Sequence, residues 1–178
     1  MSRCTLSAGL IYKHFGKEII KCLLTDLPIS EDFVDLCYPK VYKGFVEHID
    51  AIDNGIAVAD GELRYIISST LSSRVGHLNP AWNEPQSAAV LNERFRAAMS
   101  LAAKEFVDHV LSLATVWWPG REIVKKAIEN RGAVHPSGKI LILDTFCPWR
   151  EHLSDLEKDQ VISIISRRKR NDILREIV

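Results

Sequence analysis

The stretch VYKGFVEHIDAIDNG, residues 41–55, decides how the rest of the chain is read. Val41, Phe45, Ile49 and Ile52 recur at helical spacing, and at 100° per residue they gather within about 80° of one face. Pro39 suits the first turn of such a helix, where its missing N–H costs nothing. Asn54-Gly55 suits its end. Asp53 falls roughly 40° beyond the apolar stripe, at an edge that can be half buried, and Asp50 a further 60° or so out. Residues three apart are neighbours on a helix surface. Two adjacent carboxylates repel, and a shared proton or a cation relieves the repulsion. Hard divalent ions such as Mg²⁺ and Mn²⁺ prefer oxygen ligands of this kind. The competing account is a solvated helix end, although negative charge there opposes the helix dipole. Spacing alone leaves both accounts open.

Working outward, residues 7–24 read as a helix, with Ile11, Phe15, Ile19 and Leu23 at every fourth position and Leu10 and Ile20 beside them. Ser30 is placed to cap a short helix over 31–38. GELRYIIS (61–68) alternates Leu63, Tyr65 and Ile67, which suits an extended segment. Ser69 is a candidate cap for a helix carrying Leu71, Val75 and Leu78. A long helix follows from about Ala88 to Ser112, with Leu91, Phe95, Ala98, Ala102 and Phe106 facing inward. Trp117-Trp118-Pro119 marks a kink or restart, and Ile123, Val124, Ala127 and Ile128 carry the next helix. Composition changes after Arg131: a turn, then a strand over Lys139–Asp144, then a charged tail from Leu156 with helix-compatible spacing. The reading is therefore α+β, mainly α-helical, with one domain over 1–131 and the start of a second over 132–178.

The chain has 178 residues, with 23 Lys and Arg against 23 Asp and Glu, so a global electrostatic grip on nucleic acid or an anionic membrane is not indicated. Four cysteines stand far apart with no CxxC pair, which argues against a zinc site or a disulfide framework. No apolar run approaches the roughly 18 residues of a membrane span. The histidines form no HExxH pattern, and His48 on the apolar stripe suits a core residue better than a ligand. No GxSxG, P-loop or GxGxxG is present. Arg74, His77 and Asn79 cluster at one helix end, where bidentate and amide donors could hold a phosphate; a polar helix face is the simpler account. The run Arg167-Arg168-Lys169-Arg170 suits a solvated helix end better than a nucleic-acid contact.

Several stretches together carry a resemblance. LSAGLIYKHFG (6–16), VYKGFVEHIDAIDNGI (41–56), LSSRVGHLNPAWN (71–83), PSGKILIL (136–143) and FCPWREHLSDLE (146–157) resemble the melanocyte proliferating gene exonuclease family, in matching order and at compatible spacing. That family belongs to the DHH phosphoesterase superfamily. The resemblance implies the helical portion of a DHH-type α/β phosphoesterase domain followed by the start of a second domain. It implies metal-dependent 3′→5′ removal of nucleotides from RNA, with Mn²⁺ or Mg²⁺ activating a water and stabilising phosphoryl charge. It also implies a nuclear and mitochondrial protein. The superfamily draws its metal ligands from four separated motifs, and DAIDNG matches the fourth, so the resemblance makes Asp53 or Asp50 a metal ligand, with Asp53 favoured. It makes Arg74, His77 and Asn79 candidates for substrate binding, although His77 stands where an arginine is usual.

The departures carry expectations of their own. The sequence contains no Asp-His-His triplet, and its start corresponds to a point past the relatives' first three motifs. The relatives carry their targeting signal upstream of that point, so without it the expected location is cytoplasmic. The parallel sheet that the first helix would cover is also expected to be missing. The exposed apolar stripe would then favour self-association. The chain by itself is expected to be an impaired nuclease. The rival readings are a non-catalytic interaction module and a hydrolase of small phosphoesters.

Overall fold

The computed structural model describes residues 7–157 and 163–166. In chain order the elements are α1 (Ser7–Leu23), α2 (Glu31–Val41), a π-helical turn (Tyr42–Val46), α3 (Glu47–Asp53), α4 (Leu71–Gly76) and α5 (Ala88–Ser112). A second π-helical turn (Leu113–Trp117), α6 (Trp118–Glu129), α7 (Arg131–Val134), β1 (Ile140–Leu143), α8 (Trp149–Leu156) and β2 (Ser163–Ser166) follow. The fold is thus mainly helical, as expected. It divides into two compact units, one ending at Leu111 and the other beginning at Ser112. The change of composition at Arg131 marks the passage from helix to strand inside the second unit, where α6 packs on β1 and α8.

In the first unit α1 packs against α2 through Tyr12, Ile20 and Leu24 on one side and Phe33, Val34, Cys37 and Val41 on the other, all buried. The Tyr12 and Tyr38 rings stack 4.8 Å apart, and the Tyr12 hydroxyl donates to the Tyr38 carbonyl at 2.8 Å. The inward face of α1 is therefore Tyr12, Gly16 and Ile20. Leu10, Ile11 and Phe15 of the stripe read from the sequence are exposed, but Ile20 belongs to the buried face. A Cβ at Gly16 would lie 2.8 Å from the Tyr38 ring and 2.9 Å from the Tyr12 ring, so the close approach of the two helices needs glycine there.

Ser30 caps α2 as read from the sequence, its hydroxyl accepting from Phe33 N–H. Pro39 does not start a new helix. It lies inside α2, and residues 31–53 run helically without a break. The carbonyl that a proline at 39 cannot serve belongs to Asp35, which is exposed, so water can satisfy it. At the far end Gly55 adopts φ 67°, with Gly55 N–H bonded to Ile52 O and Ile56 N–H to Ala51 O. That pair of bonds is a Schellman stop, and it confirms the glycine as the terminator.

Two expectations fail in this unit. Residues 55–69 form no regular strand and are exposed throughout, Leu63, Tyr65 and Ile67 included, because no partner strand is present among the described residues to take their backbone bonds. Leu91 and Phe95 on α5 are also exposed; only Ala98, Ala102 and Phe106 are half-buried, and Val110 is the buried anchor. Periodicity correctly located the helix but could not show how far along it packing extends. A smaller shift concerns α4, whose cap is Thr70 rather than Ser69: its Oγ1 accepts from Ser73 N–H at 3.2 Å.

The second unit is a β–α–β arrangement. Strands β1 and β2 pair in parallel, Ile140 opposite Ser163 and Leu143 opposite Ser166, with α8 in the connection. Leu141 and Leu143 point into a core with Val124, Ala127 and Cys147, which Ile123, Ile128, Trp149, Leu153 and Leu156 flank. The tail after Leu156 was expected to suit a helix. Ser163–Ser166, in a stretch rich in β-branched residues, instead forms the second strand. Pro119 sits in the first turn of α6, which is the restart expected at Trp117–Pro119. His152 is buried, its Nε2 2.9 Å from Trp117 O and its ring against Gly120. The basic run 167–170 lies outside the described residues.

The thiols separate by burial. Cys37 and Cys147 are buried and Cys22 is exposed. Burial disfavours the thiolate, pushing Cys37 up to about 11 and Cys147 above its ordinary value. Iodoacetamide at pH 8 is therefore expected to label Cys22 in the native protein and to spare Cys37 and Cys147 until denaturant is added; peptide mass spectrometry reads this directly. With its folded pKa raised, Cys37 contributes stability that is complete below about pH 8.5 and lost as the pH climbs through about 11.

Candidate functional site

The end of the long helical run is where the sequence placed its chemistry, and the π-turn at Tyr42–Val46 determines which side chains are buried there. A π-turn holds one residue more than an α-turn and rotates everything after it relative to what precedes it. The buried positions run Val41, Val46, Asp50, with a spacing of five and then four. A straight helix would have buried Phe45, Ile49 and Ile52. Instead Ile52 is exposed, and the two aspartates exchange places: Asp50 is only 6% exposed, whereas Asp53 is exposed. The expectation that Asp53 would be the half-buried carboxylate is thus corrected. His48, read as a core residue, is exposed as well, with its ring edge-on to Phe45 at 5.9 Å.

Asp50 sits with the Tyr42 hydroxyl 3.5 Å from its Oδ2, a long contact, while its Oδ1 has no hydrogen-bond partner among the described residues. Its backbone carbonyl is taken by Asn54, through both the backbone N–H at 3.0 Å and the side-chain Nδ2 at 2.6 Å. A buried carboxylate oxygen without a donor is costly unless something supplies one.

The same turn holds a second uncommon feature. Gly44 faces His109 of α5, and a Cβ at that position would come within 2.7 Å of the imidazole. Phe45 flanks that ring at 6.3 Å and meets Phe106 edge-on at 5.4 Å. The His109 Nε2 is buried without a partner among the described residues. Sequence reasoning passed over His109 because it searches for short motifs. The available signal was a lone glycine in the helical run, a position where another group approaches closely.

Arg74, His77 and Asn79 lie at the end of α4. Arg74 is engaged: its guanidinium forms a two-pronged pair with the Glu105 carboxylate on α5, Nη2 to Oε2 at 2.6 Å and Nη1 to Oε1. His77 and Asn79 are exposed, and their backbone N–H groups close the turn onto Ser73 O and Gly76 O. The structure therefore ties Arg74 to α5 instead of joining it with the other two around an open anion site.

A divalent cation can be tested against these donors. Asp50 fits one ligand position, being a buried carboxylate with an uncommitted oxygen. Mg²⁺ and Ca²⁺-type sites surround the ion with about six oxygens or more. Among the described residues no three His, Cys, Asp or Glu side chains converge. The donor set present does not fit a complete metal centre. Among the described residues no helix is long and apolar enough to cross a membrane.

Comparison with known proteins follows the same stretches. Residues 3–171 match the MYG1 exonuclease family model, described as "Uncharacterised protein family (UPF0160)". A "MYG1 protein" of Dictyostelium discoideum is 45% identical over 158 residues, covering 88% of this chain and 47% of the relative. "MYG1 protein C27H6.8" of Caenorhabditis elegans is 46% identical over 158 residues, covering 88% of this chain and 46% of the relative. The "MYG1 exonuclease" of Homo sapiens is 43% identical over 153 residues, covering 85% of this chain and 40% of the relative. The chain thus spans less than half the length of these curated relatives. No solved structure matches it. A family match over nearly all of the sequence, on the stretches that gave the resemblance, shows that the chain belongs to the MYG1 exonuclease family.

Proposed function

We propose that the chain is part of a metal-dependent phosphodiesterase of the DHH type that removes nucleotides from the 3′ end of RNA, and that Asp50 supplies one of the ligands of its Mn²⁺ or Mg²⁺. The observation that carries this reading is the buried Asp50 carboxylate, whose Oδ1 lacks a donor at the end of the DAIDNG helix. Asp53, one turn on and exposed, is the alternative ligand. Arg74, His77 and Asn79 remain the candidates for a phosphate contact, with Arg74 required to leave Glu105 first. The nuclear and mitochondrial location expected of the family belongs to the same proposal.

One carboxylate does not cage a divalent ion, so the chain by itself is proposed to turn over little or no RNA. The test is incubation of the purified chain with end-labelled RNA and Mn²⁺. The expected result is no processive shortening. Robust trimming that disappears in Asp50→Ala or Asp53→Ala would show a complete centre and overturn the proposal.

A second reading, a non-catalytic interaction module, is favoured by a specific feature. Leu91, Phe95 and Met99 stand exposed at four-residue intervals along α5, and Leu10, Ile11 and Phe15 are exposed on α1. Self-association through these faces would appear as concentration-dependent mass in analytical ultracentrifugation, and a strictly monomeric protein would remove this reading.

A further inference from the structure

The second unit contains a cleft that the preceding reading does not use. It has a volume of about 380 Å³ and lies between the carboxyl end of β1 and the last turns of α6. That volume falls in the range of roughly 300–1,000 Å³ typical of small-molecule sites. Its lining includes Ala127, Val134 and Ile142, an apolar surface on which a flat ring can rest. Lys126, Asn130, Asp144 and Thr145 supply the polar part of the lining.

The polar groups limit what can bind. The ion pairs of this unit join Arg121 to Asp155 and Arg131 to Glu157, leaving Lys126 and Asp144 unpaired among the described residues. Two opposite charges thus line one space without neutralising each other. Asn130 has committed its Nδ2 to Lys126 O at 2.9 Å, so what it can offer a ligand is chiefly the acceptor Oδ1. The cleft therefore presents one cation, the acceptors of Asn130 and Asp144, the Thr145 hydroxyl and an apolar surface. A matching ligand carries an anion, hydroxyl or amino donors, and a flat ring. A small zwitterion such as glycine would satisfy both charges but leave most of the apolar surface uncovered. Location supports a ligand independently. Asp144 is the first residue past β1, whose partner strand is parallel, and the crevice outside the carboxyl ends of parallel strands is where such folds bind ligands. In dinucleotide-binding folds a carboxylate supplied by the sheet accepts from ribose hydroxyls, and Asp144 offers the same acceptor chemistry here.

We propose that this cleft binds a nucleoside monophosphate, with its phosphate on Lys126 and its ribose hydroxyls on Asp144. The proposal rests on the RNA reading above for its substrate class, and names the part of the chain that would hold a terminal or released nucleotide.

The experiment is calorimetric titration of the whole chain with AMP in EDTA at low salt, alongside dAMP, adenosine and inorganic phosphate. The Lys126→Gln and Asp144→Asn variants, both at exposed positions and checked for native circular dichroism, are titrated in parallel. AMP is expected to bind at one site, more tightly than any of the other three. Lys126→Gln should weaken AMP about tenfold or more, the effect of losing one charge-assisted contact. Asp144→Asn should weaken AMP similarly and close its advantage over dAMP. Absence of AMP binding, equal binding of phosphate or adenosine, or unchanged affinity in either variant would overturn the proposal. The titration contains neither metal nor RNA. A failure here therefore leaves the trimming assay untouched, and a failure there leaves this result untouched.

Discussion

Phe33→Ala is expected to destabilise the first unit by about 3–5 kcal/mol, the range for removing a buried phenylalanine. Phe33 is completely inaccessible in the first turn of α2, among the residues that α1 and α2 bury against each other. Removing its ring withdraws buried apolar surface and leaves a cavity in a unit whose other fully buried side chains include Ile20, Leu24, Val34 and Cys37. Collapse into the space is limited by Gly16, where the two helices already approach as closely as the Tyr12 and Tyr38 rings permit. Urea denaturation followed by far-ultraviolet circular dichroism measures the change. A loss below about 1 kcal/mol would mean that the α1–α2 interface is not the core of this unit.

Leu141→Ala is expected to cost the second unit about 2–5 kcal/mol. Leu141 is completely buried on β1, in one cluster with Val124, Ala127, Leu143 and Cys147. The unit has two four-residue strands and short helices, so few other side chains can compensate. Hydrogen exchange resolved by mass spectrometry separates this effect from that of Phe33→Ala. Protection should fall first in α6, β1 and α8 for Leu141→Ala, and first in α1 and α2 for Phe33→Ala. Identical exchange patterns in the two variants would contradict the division at Leu111.

The π-turn at Tyr42–Val46 explains where reading by periodicity stopped working. A constant 100° per residue carried the apolar stripe from Val41 through Phe45 to Ile52 and put Asp53 at its edge. The π-turn breaks that count within the very run being read, so Val46 and Asp50 take the inward positions. Nothing in YKGFV announces such a turn except Gly44, and the reason for the glycine lies 65 residues away, in the imidazole of His109. Arg74 follows the same logic. Its spacing from His77 and Asn79 was visible, but its pairing with Glu105 depends on how α4 meets α5. The strand at Ser163–Ser166 was missed for a different reason: the β-branched run that marks it is short and stands next to a heavily charged tail.

The amino-acid order by itself located the helical segments as far as Glu129, the cap at Ser30, the stop at Gly55, the strand after Lys139, and, through five separated stretches, the family. Those features follow from local backbone chemistry and from residue identity, which need no knowledge of distant neighbours. Only the tertiary structure decided which aspartate is buried, which apolar faces stay exposed, and that Lys126 and Asp144 line one cleft. Each of these depends on a rotation or an approach between segments far apart in the chain, which the spacing of residues along it does not contain.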